Sequence, residues 1–159
     1  MVGTSYEQAG MVKHGSKMIQ AVANVKVPKI SMHIGASFGA GNYGMSGHGY
    51  EPDFLFSWPN SSSGVMGGEQ AAITMEQVAR SSAARKGIEV DEAKLAKQTA
   101  ELIAHFDGQS SAFYTSGRLL DMGVIDPRDS RKVLGFCLQT CREARHRVVR
   151  PNSFGVARM

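Results

Sequence analysis

Apolar residues recur at near-helical spacing at the start of the chain: Ala9, Val12, Met18, Ile19 and Val22, with Lys13 and Lys17 between them. This spacing predicts a helix over about residues 6–25, and Pro28 then breaks the pattern. Lys29–Ile34 (KISMHI) is short and alternating, as a strand requires. Glycines follow at 35, 39, 41, 44, 47 and 49, a density that ordinary helices and strands rarely tolerate. Pro52–Trp58 predicts a second strand and Ser63–Met66 a third, shorter one. Gly67-Gly68-Glu69 opens a helix that runs through Ala71, Ala72, Met75 and Val78 to about Lys86. Another starts at Asp91 or Glu92 and reaches about Phe106, and a short one is expected near Ser116–Met122. Asp126-Pro127 is a start signal, since proline suits the first helical turn. The helix that follows is predicted to reach about Val148, with Val133, Leu134, Leu138 and Cys141 on one face.

Short strands alternating with helices predict an α/β fold of βα units. The strands are few for a sheet. The pattern therefore implies either strands supplied from elsewhere or a start inside a larger domain.

Composition narrows the class. A chain of 159 residues is the size of one domain with a single core. It has no apolar run near the ~18 residues of a membrane helix and no secretory start, so a soluble, cytoplasmic protein is expected and a membrane partner is not. Cys137 and Cys141 stand four apart, which stacks them on one helix face as buried thiols of a reducing compartment. His146 falls on another part of that helix, and no metal site is expected. The net charge of +4 gathers at the end: Arg128, Arg131, Lys132, Arg142, Arg145, Arg147, Arg150 and Arg158 face only Asp129 and Glu143. Such a cluster suits an acidic subunit, an anionic ligand or plain solvent. It lacks the regular interleaving of aromatic side chains that nucleic-acid grooves use, so nucleic acid is not an expected partner.

The chemistry concentrates in Ile30–Gly49, ISMHIGASFGAGNYGMSGHG, which reads strand, glycine-rich turn, short helix. The first N–H groups of a helix have no intrahelical partner and point outward together, and the helix dipole adds positive character there. Gly39, Ala40 and Gly41 carry little or no side chain, so a ligand oxygen can approach their backbone. The product is an anion or oxyanion site, or a purely structural turn. In a working enzyme one such donor is worth about 3–4 kcal/mol of transition-state stabilisation. Neither GxxxxGK[ST] nor GxGxxG is present. Gly64–Ala72 (GVMGGEQAA) repeats the arrangement, with Glu69 in the first helical turn as a capping residue or a carboxylate near a site. His33 reads as a core histidine, while His48, Tyr114 and Ser116 stand in no evident relay. No G-x-S-x-G elbow or HExxH occurs.

VPKISMHIGASFGAGNYGMSG, FLFSWPNSSSGVMGGEQAA, GRLLDMGVIDPRDSRKVLG and the closing FGVARM together resemble the β subunits of methylcrotonoyl-CoA and geranyl-CoA carboxylases. The resemblance covers nearly the whole chain, loosely over about residues 79–109. It implies an α/β, crotonase-like ββα superhelix, incomplete at its N-terminal end, with residues 1–159 forming the C-terminal, biotin-side part of a carboxyltransferase domain. By the same resemblance the amides of Gly39, Ala40 and Gly41 stabilise the charge developing on biotin's ureido oxygen, and Phe38, Gly39, Ala40, Gly41, Asn42 and Tyr43 hold biotin.

The implied reaction passes a carboxyl group from carboxybiotin, carried by a partner subunit, to an acyl-CoA of the methylcrotonoyl or geranyl type. The implied partners are a biotin carboxylase and biotin-carrier subunit and further carboxyltransferase subunits in a homo-oligomer. The family's acyl-CoA oxyanion site has no counterpart here, so the chain alone is expected to be inactive. The alternatives are an independent crotonase-like hydratase or isomerase, and a non-catalytic assembly element.

Overall fold

The computed structural model describes residues 4–151 and 155. Arg158 and most of FGVARM therefore lie outside the described residues.

The first predicted helix is two. Helix α1 (Thr4–Gln8) and helix α2 (Met11–Asn24) are divided at Gly10, whose φ of 94° no ordinary helical residue adopts. Along α2, Met11, Gly15, Ile19 and Val22 form the less exposed stripe. Strand β1 (Ile30–His33) follows, then β2 (Ala36–Phe38), a short strand that the glycine density conceals in the sequence. Helix α3 (Gly39–Gly44) starts directly from it. After a 3₁₀ turn at His48–Tyr50, the same order recurs as β3 (Phe54–Ser57), β4 (Ser62–Gly64) and α4 (Gly68–Lys86).

These are two ββα units, and their strands pair like with like. β1 lies parallel to β3, with Ile30 opposite Phe54 and His33 opposite Ser57. β2 lies parallel to β4, with Ala36 opposite Ser62 and Phe38 opposite Gly64. A third segment extends the first sheet at Val124, bridged in parallel to Ser57. Ser57 N–H donates to the Gly123 carbonyl at 3.1 Å, and its own carbonyl accepts from Ile125 N–H at 2.9 Å.

Helix α5 (Glu92–Ser110) packs back along α4. Gly87 makes that reversal possible: at φ 65° it ends α4, and the N–H groups of Gly87 and Ile88 close the last carbonyls. Asp91 then caps α5, its carboxylate accepting from Lys94 N–H at 3.0 Å.

Two sequence expectations shift. The short helix α6 is Ala112–Gly117 rather than Ser116–Met122, because Ser111 caps it early and Leu119, at φ 61°, ends it. At the last start signal, Asp126 accepts from Arg128 N–H, Pro127–Asp129 forms a 3₁₀ turn, and helix α7 runs Ser130–His146. Its inward stripe is Val133, Leu134, Cys137 and Cys141, whereas Leu138 is 59% exposed. From Leu134, a step of three reaches Cys137, and Leu138 lies a further 100° round.

The core is small: Leu55, Ala71, Ala72, Leu95, Ala112 and Cys137 are its buried apolar residues, with Ser57 and Ser61 buried among them. Trp58 bridges β3 to α7 by donating from Nε1 to Ser130 Oγ at 2.9 Å. None of the described helices is long and apolar enough to cross a membrane.

Candidate anion-binding turn at the end of strand β2

β2 and β4 run in parallel and each ends in a glycine-rich turn into a helix, so the two turns lie side by side. Their contact is close. A β-carbon at Gly39 would stand 2.9 Å from the Val65 carbonyl oxygen, and Gly39 has φ 55°, in the left-handed region. Only glycine meets both conditions without strain. A β-carbon at Gly64 would meet the Phe38 ring at 3.4 Å, so the ring lies against its register partner at the strand ends.

The amides of Gly39, Ala40 and Gly41 open the first turn of α3 and have no carbonyl within the helix to serve. Ala40 and Gly41 are exposed, and nothing lies within 4 Å of a β-carbon built at Gly41. Exposed apolar side chains surround the turn: Tyr43 on α3, and Val65 and Met66 on the neighbouring turn. The donors are backbone, and the setting is apolar. This arrangement can hold an oxygen carrying negative charge beside a largely apolar ring.

Asn42 is tied inward. Its Nδ2 lies 3.2 Å from His33 Nε2, 3.0 Å from Ser37 Oγ and 3.3 Å from Ser63 Oγ, so one amide reaches β1, β2 and β4. Tyr43 is half out: its ring meets Tyr50 edge-on with centroids 5.4 Å apart and covers Gly49. Behind α3, Met18 of α2 packs against the buried Gly44. The expected biotin contacts Phe38–Tyr43 thus form one continuous segment, with Ala40 and Gly41 exposed and Asn42 turned to the sheet.

Beside this segment a pocket of about 310 Å³ follows β1 and β2 and reaches Asn42 and Met45. It exposes His33. Burial holds the His33 ring below the ordinary histidine range, and the Asp121 carboxylate opposes that effect. Asp121 itself accepts from Ser57 Oγ at 2.5 Å and from Gly123 N–H at 3.0 Å. Sequence reading missed this polar group, because its members are 24 and 64 residues apart and only the β1–β3 register aligns them.

Other candidates separate from the turn. Glu69 is exposed in the first turn of α4, and the N-cap, Gly67, offers no side-chain cap. Gly68 is buried, and a β-carbon there would stand 3.0 Å from the Ile103 carbonyl, so this glycine serves the packing of α4 on α5. His48 is exposed on its 3₁₀ turn. The Arg118 guanidinium lies over the Tyr114 ring, 5.1 Å from its centroid. In the basic segment Arg128 is paired with Asp126 at 2.6 Å, while Arg131, Lys132, Arg142, Arg145, Arg147 and Arg150 are exposed.

Two ββα units with paired long strands, paired short strands and a backbone donor set define a crotonase-like fold of the carboxyltransferase kind. The chain belongs to the carboxyl transferase domain family, whose model matches residues 1–154. It is 50% identical over 159 residues to a probable biotin-dependent acyl-coenzyme A carboxylase beta2 subunit of Mycobacterium tuberculosis, covering all of this chain and 30% of that protein. The mitochondrial methylcrotonoyl-CoA carboxylase beta chain of Arabidopsis thaliana is 46% identical over 162 residues, again with all of this chain and 27% of the relative. Among solved structures, the geranyl-CoA carboxylase beta subunit of P. aeruginosa superposes with a TM-score of 0.84 at 46% identity, over 100% of this chain and 29% of that one. The transcarboxylase 12S subunit superposes at 0.71 with 26% identity, over 98% of this chain and 28% of its own. The chain spans less than a third of the length of each of these relatives.

Proposed function

We propose that the turn Phe38–Tyr43 is the biotin-side oxyanion site of a biotin-dependent acyl-CoA carboxylase's carboxyltransferase. The observation that carries this reading is the open donor set of Gly39, Ala40 and Gly41, held against Val65 by a glycine that no other residue replaces. The residues fit biotin. A Cβ-free cradle admits an oxygen to the backbone, and Tyr43, Val65 and Met66 offer apolar surface for a ring. When bound, carboxybiotin supplies the carboxyl group for transfer. The backbone amides of Gly39, Ala40 and Gly41 stabilise negative charge on the ureido oxygen, and Phe38 closes the inner side of the turn.

By the same reading the acyl acceptor is a CoA thioester of the methylcrotonoyl or geranyl kind, the two named among the similar proteins. Carboxybiotin arrives on a separate carrier subunit beside its biotin carboxylase. The acyl-CoA is presented by a different part of the carboxyltransferase. Copies of the chain pack together through exposed apolar side chains such as Phe113, Leu119 and Phe136; hexamer assembly is named for the transcarboxylase 12S core. The free thiols of Cys137 and Cys141 agree with a reducing, cytoplasmic setting.

The experiment is a titration of the ¹⁵N-labelled chain with biotin methyl ester, followed by amide spectra. Saturable shifts at Gly39, Ala40 and Gly41, absent from α7, are expected. A turn whose amides stay unmoved at millimolar ligand would sink the assignment.

A further inference from the structure

Asn42 is the fourth residue of α3, one turn from Gly39, and its side chain is the link between that helix and three strands. An amide nitrogen has no lone pair to offer and can only donate. The 3.2 Å contact with His33 Nε2 is therefore bonding only when Nε2 carries the lone pair and the ring proton sits on Nδ1. A second ring proton would set two N–H groups against each other at that distance.

We propose that His33 is a positioning residue: by accepting from Asn42 it fastens α3 to β1, beside the Ser37 and Ser63 contacts of the same amide, and so sets the direction of the Gly39–Gly41 amides. Its meaning for catalysis rests on the oxyanion reading above, whereas the lock itself does not.

The surroundings favour a ring that is neutral yet able to titrate. β2 (ASF), β3 (FLFS) and β4 (SSG) carry no ionisable side chain, and α3 carries only Tyr43, which is exposed. Among the described residues Asp121, in the segment after α6, is the acidic group acting on the ring. It is already engaged by Ser57 Oγ and Gly123 N–H, which leaves it poorly placed to hold an imidazolium. Burial disfavours the charged ring, while the 310 Å³ pocket along β1 gives protons a route to it. Acid is thus expected to break the Asn42–His33 bond, leaving Asn42 its Ser37 and Ser63 partners, and to shift the turn before the fold fails.

The test is ¹H–¹⁵N spectroscopy of the 159-residue chain. At pH 7.5 the His33 ring should show the Nδ1–H tautomer. On acidification the Asn42 side-chain amide and the Gly39, Ala40 and Gly41 backbone amides should shift with the ring's own midpoint. In His33→Gln, whose side-chain oxygen accepts but does not titrate, these shifts should vanish while the pH 7.5 spectrum of the turn is kept. An Nε2–H tautomer, or turn amides that ignore the ring's midpoint, would overturn the lock. The wild-type titration decides it even if the variant folds poorly. Biotin methyl ester separates the two ideas: no binding at any pH counts against the oxyanion site alone. Binding that weakens tenfold or more as the ring protonates, and stays constant in His33→Gln, supports both.

Discussion

The carbonyl oxygen of Val65 lies 2.9 Å from where a first side-chain carbon at Gly39 would stand, so the second ββα unit dictates the residue type in the first. Gly39→Ala must relieve both that contact and a φ of 55°. The expected cost is about 1–3 kcal/mol. Gly41→Ala, with open space around it and a helical position, should lie within about 1 kcal/mol of the parent on the stabilising side. Urea denaturation of the two variants checks the contrast, and equal losses would contradict the geometry.

Gly67 and Gly68 should separate in the same way. A β-carbon at Gly68 meets the Ile103 carbonyl at 3.0 Å and its α-carbon at 3.1 Å, whereas one at Gly67 meets nothing. Gly68→Ala has to push α4 off α5, at about 1–3 kcal/mol. Gly67→Ala should leave the melting temperature nearly unchanged.

Ser57 is 1% exposed and its hydroxyl donates to Asp121. Ser57→Ala leaves a part-buried carboxylate oxygen short of a partner, at about 1–3 kcal/mol. A double-mutant cycle with Asp121→Ala should show the two losses to be strongly non-additive. Additive losses would mean that the pair does not act as a unit.

The strands β1 and β3, helix α4 and the starts of α5 and α7 were legible because their signals are local: alternation, a Gly-Gly opening, an Asp cap and an Asp-Pro start. The break at Gly10 was not, since α2's apolar stripe resumes in nearly the same phase beyond it. β2 was hidden because Ala36–Phe38 earns its strand character by pairing with β4, a relation of 26 residues that no local pattern records. The donor turn itself was visible in its glycines. That it abuts the second glycine turn, and that Asn42 faces the sheet, depends on parallel pairing and on no residue near either in sequence.

Stability should depend on His33 in one pH window. Its ring is held below the ordinary value of 6.5 by burial, against the opposing pull of Asp121. The unfolded chain therefore takes up this proton first as pH falls. Stability from this group is full above 6.5 and declines below it until the folded ring also titrates, after which it is constant. The unfolding free energy of the parent minus that of His33→Gln should fall on moving from pH 7.5 to pH 5. A parent-minus-variant value that rises or holds steady would refute the sign.

The two cysteines should differ in reactivity. Burial, and secondarily Cys141 itself, push the Cys137 thiol up, and it is 1% exposed; Cys141 on the next turn is only half-buried. In the native chain a disulfide reagent should modify Cys141 first and reach Cys137 only after unfolding. Simultaneous modification would place α7 differently.

Ser57 donates on one side to the Gly123 segment and belongs to a strand paired on the other side with β1. Among the described residues β1 has only β3 as a neighbour. In a stack of units that touch only their neighbours, an inner layer opens when a flank leaves, and an outer one opens alone. Amide exchange in this 159-residue chain should therefore be graded across the described strands, slowest at Ser57 and faster along β1. The helix bearing the donor turn belongs to that outer layer, and it leaves with it.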